Sequence, residues 1–157
     1  MRIAHCCLNG TSGHEAGRKL LAELYHEETG TDLPEILTTE RGKPYFAGSS
    51  LHFSISHTPA HAFCVLSEKN VGLDAEEADR NINLKLAQKI LSPMEKAQFD
   101  TAADPRKALL TFWVLKEAAA KLSGEGLRGY PNHTNFSLED PRVTEIDGCL
   151  VAVLEGD

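Results

Sequence analysis

No stretch of this chain is apolar for long. Its longest unbroken runs, such as residues 150–154, fall far short of the roughly 20 residues that cross a bilayer, which excludes a transmembrane helix. Met1-Arg2-Ile3-Ala4-His5 lacks the apolar stretch of a signal peptide, so the cytoplasm is the expected location. Positive charge is also scarce: 16 Lys and Arg stand against 23 Asp and Glu, a net charge of −7, which argues against nucleic acid or an anionic membrane as the main partner. An anionic ligand must then be held by a local basic cluster. Cysteine is sparse, and Cys6, Cys7, Cys64 and Cys149 include no C-x-x-C pair. Each sits in an apolar run with strand character, so buried reduced thiols are expected. His5-Cys6-Cys7 is not a metal site by itself, because neighbours on a strand face opposite ways. Linkers and low-complexity segments are missing as well. With 157 residues, 41% of them hydrophobic, the chain has room for one globular domain or two small lobes sharing a core.

Residues 2–8 read as a strand, and Ser12-x-x-Glu15 has capping-box spacing ahead of a helix that carries Leu20, Leu21 and Leu24 inward and ends at Gly30. Residues 51–56 and 62–66 flank a Thr58-Pro59-Ala60 turn and predict a hairpin, and residues 71–76 a third strand. A helical stretch is expected over 84–91. Ser92-Pro93-Met94-Glu95 and Asp104-Pro105 open two further helices, the second running to about Leu122 before Ser123-Gly124 stops it. Asp147-Gly148 is the residue pair of a two-residue hairpin turn between strands near 142–146 and 149–154. The pattern is α+β, helices packed on antiparallel sheet in two small lobes, about 1–67 and 68–157.

Three segments carry chemistry. In Val71-Gly72-Leu73-Asp74-Ala75-Glu76 the strand period sends Asp74 and Glu76 to one face, either a solvated strand face or a pair of oxygen ligands for a divalent cation. On the long helix Glu117 and Lys121 are four apart on one stripe with Trp113, while Lys116 points about 100° away. That stripe is either an ordinary Glu–Lys pair beside a core Trp113, or a third oxygen ligand and a cation facing phosphate. Arg41-Gly42-Lys43-Pro44 is a cationic turn, and Ser54-Ile55-Ser56-His57 puts hydroxyls and an imidazole at a strand end, suited to anion binding. No G-x-S-x-G elbow accompanies Ser56 and His57, which removes the hydrolase reading of that pair.

Taken in order, Gly42-Lys43-Pro44, Phe53-Ser54-Ile55-Ser56-His57, Val71-Gly72-Leu73-Asp74-Ala75-Glu76 and Trp113-Val114-Leu115-Lys116-Glu117-Ala118-Ala119-Ala120-Lys121 resemble the 4′-phosphopantetheinyl transferases of the surfactin-synthetase type, over roughly residues 12–130. The resemblance implies a fold of two pseudo-two-fold-related lobes in a monomer. It also implies transfer of 4′-phosphopantetheine from coenzyme A to a serine hydroxyl of an apo acyl or peptidyl carrier protein, releasing adenosine 3′,5′-bisphosphate. Magnesium is the implied cofactor, held by Asp74, Glu76 and Glu117, with Lys121 neutralising phosphate. Lys43, Pro44, Ser56 and His57 are implied to grip coenzyme A, His57 near the 3′-phosphate, and Arg18 stands where the family often has a further coenzyme A contact. The serine proton would pass to Glu117 or to a water on the metal. The chain departs from the family at Ser54, usually asparagine, at Val114, usually a small hydroxyl residue, and in its short stretch before Gly42. A non-catalytic homologue that binds coenzyme A or a carrier is the alternative. Residues 105–130 carry five basic residues against two acidic, a positive face fit for a phosphate-rich substrate and an acidic carrier.

Overall fold

The computed structural model describes residues 1–126 and 133–157. Arg128, counted above among the basic residues, lies outside the described residues. β1 (Arg2–Cys7) leads into α1 (Gly13–Thr29). There Ser12 Oγ accepts the Glu15 amide at 3.1 Å, satisfying one donor the first turn leaves unpaired. Gly30 closes the helix at φ 71°, a left-handed value that glycine takes at little cost. β2 (Ile36–Thr38) and β3 (Pro44–Phe46) pair as a short antiparallel ribbon that the sequence pattern does not announce, since three residues are too few to display a period. The expected hairpin follows as β4 (His52–His57) and β5 (His61–Ser67), then β6 (Val71–Glu77). Over 84–91 the structure departs from a full helix. A 3₁₀ turn at Leu84–Leu86 runs into a single α turn, α2 (Ala87–Ile90), because Ser92 must be extended ahead of Pro93. Ser92 and Glu95 complete a capping box for α3 (Pro93–Asp100), Asp104 caps α4 (Pro105–Ser123), and Asp147-Gly148, both at positive φ, turn β7 (Val143–Ile146) into β8 (Cys149–Glu155).

Two three-stranded sheets result, ordered β1-β5-β4 and β6-β8-β7. Both follow one plan: a first strand, later a long helix, then an antiparallel hairpin whose second strand takes the middle place. α1 packs on β4 and β5, and α4 on β6 and β8. Phe63 and Val65 of one sheet join Val71, Leu73, Ala75, Cys149 and Val151 of the other in a shared core. Along this seam β6 spends one edge on β8, which leaves alternate amides facing β4. Ser54 Oγ accepts Leu73 N at 3.0 Å and Ser56 Oγ accepts Ala75 N at 3.3 Å, so two hydroxyls on a two-residue period replace a backbone ladder.

α3 is fastened to α4 by a buried ion pair, Lys116 Nζ to Glu95 Oε2 at 2.6 Å. The other Glu95 oxygen accepts Thr134 Oγ1 at 2.7 Å and Phe136 N at 3.0 Å. Lys116 thus points off the Glu117 stripe, as its place on the helix requires, and into the core. The cysteines correct one expectation. Cys64 and Cys149 are buried, but Cys6 is only half-buried and Cys7 is exposed, because β1 is an outer strand with one face covered by α1.

Candidate active site

At Gly72 the backbones of α4 and β6 approach closely. A Cβ there would lie 2.1 Å from Ala118 O and 2.5 Å from Leu122 N, so only hydrogen lets the helix settle onto the strand. The contact sets Lys121 against Asp74, two residues along β6. Lys121 Nζ lies 2.9 Å from Asp74 Oδ1, and Ser56 Oγ donates to the same oxygen at 3.1 Å. Asp74 Oδ2 is buried and has no hydrogen-bond partner. Burial pushes the Asp74 carboxyl above the usual range, and the Lys121 charge and the bonds from Lys121 and Ser56 oppose the rise. Asp74 therefore does not stand on a solvated face.

Glu76 is half-buried, and its Oε1 accepts from Arg80 Nη1 at 2.5 Å and from Trp113 Nε1 at 3.1 Å. Burial raises its pKa, Arg80 opposes that, and the Asp74 charge adds to it. Glu117 is raised by burial and by the Asp74 charge, against Lys121. The three acids thus feel one another's charge. Among the described residues no ion pair joins Glu117 to Lys121, since the lysine turns across to β6 instead of along its own helix.

A cavity of about 260 Å³ opens beside this group, and Lys43, Pro44, Phe53, Ile55, Glu117 and Lys121 are among the residues that line it. The Lys43 ammonium is committed at the rim, donating to Asn70 Oδ1 at 2.6 Å and to Leu122 O at 2.7 Å near the end of α4, and burial lowers its pKa. Ser56 lies beneath Asp74 and does not line the cavity. Neither does exposed His57, whose ring abuts the first turn of α1, where a Cβ on Gly13 would come within 2.3 Å of it. Half-buried Arg18 is also outside the cavity, next to Gly17, which packs on Ile55.

The structure therefore gathers Ser56, Asp74 and Lys121 by hydrogen bonds and Glu76 and Glu117 by charge. It places Lys43 and Pro44 in the lining of the same cavity as Glu117 and Lys121 and leaves Arg18 and His57 outside that lining. It adds Arg80 and the Trp113 indole as partners of Glu76, and Arg41 to the cavity lining. Trp113 shares the Glu117 stripe and so carried a sequence signal. Arg80 carried none, because it holds Glu76 from the turn after β6.

The donors from Asp74, Glu76 and Glu117 are all oxygen, the chemistry of a hard cation. The unsatisfied Asp74 Oδ2 fits such an ion. As folded, the three acids do not bring one oxygen each within 4.8 Å of one another, and the charge beside Asp74 is that of Lys121.

A family model described as the 4′-phosphopantetheinyl transferase superfamily matches residues 70–149. The 4′-phosphopantetheinyl transferase psf-1 of Bacillus pumilus is 29% identical over 134 residues, which are 82% of this chain and 57% of that protein. A 4′-phosphopantetheinyl transferase of Bacillus subtilis is 30% identical over 127 residues, 75% and 56% of the two chains. The 4′-phosphopantetheinyl transferase AcpT of Escherichia coli K12 is 37% identical over 115 residues, 69% and 56%. The chain spans a little over half the length of these curated relatives. Among the described residues no helix is long and apolar enough to cross a membrane.

Proposed function

The chain belongs to the 4′-phosphopantetheinyl transferase superfamily, and from that premise we propose that it transfers 4′-phosphopantetheine from coenzyme A to a serine hydroxyl of an apo acyl or peptidyl carrier protein, with magnesium, releasing adenosine 3′,5′-bisphosphate. One observation carries the reading: the Gly42-Lys43-Pro44 turn and the Glu117–Lys121 stripe, more than 70 residues apart in the chain, line one cavity.

Asp74, Glu76 and Glu117 are the residues that would hold magnesium, which would supply positive charge for the pyrophosphate of coenzyme A. From α4, Lys121 meets the negative charge that develops there. Glu117, on the cavity wall with a raised pKa, suits the second task of taking the serine proton. Lys43 and Pro44 confine the substrate within the same cavity. His57 lies against the first turn of α1, where unpaired helix amides favour an anion such as the 3′-phosphate, and Arg18 is on the same helix. Ser56 acts from below by fixing Asp74. The working unit in this reading is a monomer of one domain with lobes about 1–67 and 68–157, acting on an acidic carrier in the cytoplasm, and the drawing of the cavity lining from both halves supports it.

The test is intact-mass analysis of apo carrier proteins incubated with the chain, coenzyme A and magnesium, beside a chelator control. A chelator-sensitive gain of one phosphopantetheine on a carrier serine is expected. No gain on any carrier, with coenzyme A still bound in calorimetry, would instead identify a binding homologue.

A further inference from the structure

Strand alternation turns Glu77 to the face of β6 opposite Asp74 and Glu76. On that face it stands across the β6–β8 register from Cys149, with His61 of β5 beside both. His61 Nδ1 lies 3.0 Å from Glu77 Oε1 and 3.5 Å from Cys149 Sγ, and one ligand atom from each residue falls within 4.8 Å of the others. Thr58 Oγ1 donates to the same Glu77 oxygen. We propose that His61, Glu77 and Cys149 form a transition-metal site of the zinc class, separate from the carboxylate site, that clamps the two sheets together.

The spacing is the first argument. Zinc bonded at about 2.0–2.1 Å to nitrogen and oxygen and 2.3 Å to sulfur in a tetrahedron sets its nitrogen roughly 3.3 Å from the oxygen and 3.5 Å from the sulfur. Both separations around His61 Nδ1 are close to these. The convergence is the second argument. A Cys–His–acid relay directs one imidazole nitrogen at the thiol and the other at the carboxylate, whereas here a single nitrogen faces both. Cys149 is also fully buried, which keeps a substrate carbon or phosphorus from reaching its sulfur. Ligand type is the third. Sulfur and imidazole select zinc or cobalt, while the oxygen-only set at Asp74 selects magnesium. Three protein donors leave the fourth position to the Thr58 hydroxyl or water, and the partial exposure of His61 and Glu77 gives the ion a way in. On binding, the Cys149 proton leaves to solvent and the thiolate takes its place on the metal.

The experiment uses the reduced, chelator-stripped full chain titrated with cobalt(II) alone. One equivalent should bind with a near-ultraviolet thiolate-to-cobalt band that zinc bleaches and magnesium does not. Zinc at a hundredfold excess over its Kd should raise Tm by roughly 5–10 °C. Cys149→Ser should lose the band, as should His61→Ala, a truncation at a partly exposed side chain, while Glu117→Gln should keep it. Absence of the band in the wild-type chain, or its survival in both Cys149→Ser and His61→Ala, would overturn the proposal in favour of a hydrogen-bonded triad or of half-buried Cys6 and exposed Cys7. Failure here is distinguishable from failure of the transferase reading, because phosphopantetheine gain is read by the mass of the carrier and His61, Glu77 and Cys149 are outside the cavity lining.

Discussion

Asp74 is held where its charge is hard to keep: one oxygen rests on Lys121 and Ser56, the other on nothing. Glu117→Gln and Lys121→Ala should each lower turnover about a hundredfold or more in a steady-state carrier assay, the size expected for a group that stabilises charge as the bond breaks. Wild-type rates in both would remove them from the site. The pKa directions also set a pH dependence. Asp74, Glu76 and Glu117 titrate above their unfolded values, so the folded chain keeps protons the unfolded chain has already released. Their contribution is neutral below the ordinary carboxylate range, falls as pH rises from there through the raised values, and is fully unfavourable above them. Glu77 and Asp140 are lowered and act oppositely, adding stability above the ordinary range that is lost as pH falls through their depressed values. Urea midpoints of the metal-free protein should therefore drop as pH rises above the ordinary carboxylate range, and less steeply in Glu117→Gln. An unchanged slope in that variant would take Glu117 out of this balance.

At the scale of elements, the site depends on two close approaches to β6. Ser54→Ala and Ser56→Ala would each leave a buried β6 amide without its acceptor, with an expected loss of about 1–3 kcal/mol in denaturant unfolding. Stability within error of wild type in both would mean that the serine seam does not join the sheets. Gly72→Ala forces α4 off β6, and an overpacking loss of about 1–3 kcal/mol should come with a fall in turnover, because Glu117 and Lys121 move with the helix. The element starts and stops were legible in the sequence: the serine caps, the prolines opening α3 and α4, the glycines ending α1 and α4, and the Asp147-Gly148 turn are local signals acting over three or four residues. The β2–β3 ribbon was not legible, and neither was the shortening of 84–91. Ser54 looked like a departure from a family pattern, and only the neighbouring strand shows it accepting an amide.

For the molecule as a whole, the two sheets share one core and α4 ties several parts to it. Lys116→Met would strand the Glu95 charge at 0% exposure and should destabilise the chain by about 3–5 kcal/mol, with residues 133–136 becoming the first to be cut in limited proteolysis. A small loss with unchanged cleavage would show that the pair is dispensable. The sequence by itself determined which residues are chemically equipped and which way each faces from its own strand or helix, because those follow from side-chain type and from periods of 2.0 and 3.6 residues. Asp74 and Glu76 on one face of β6, and Glu117 and Lys121 on one stripe of α4, were settled at that level. Tertiary structure alone decided what covers each face. It turned Lys121 to Asp74 rather than Glu117, buried Asp74, spent the Lys43 ammonium on the end of α4, exposed Cys7 and brought Cys149 to His61 and Glu77. The physical reason is range: periodicity orients a side chain about its own axis, but its partner comes from elements tens of residues away, brought near only when apolar faces pack.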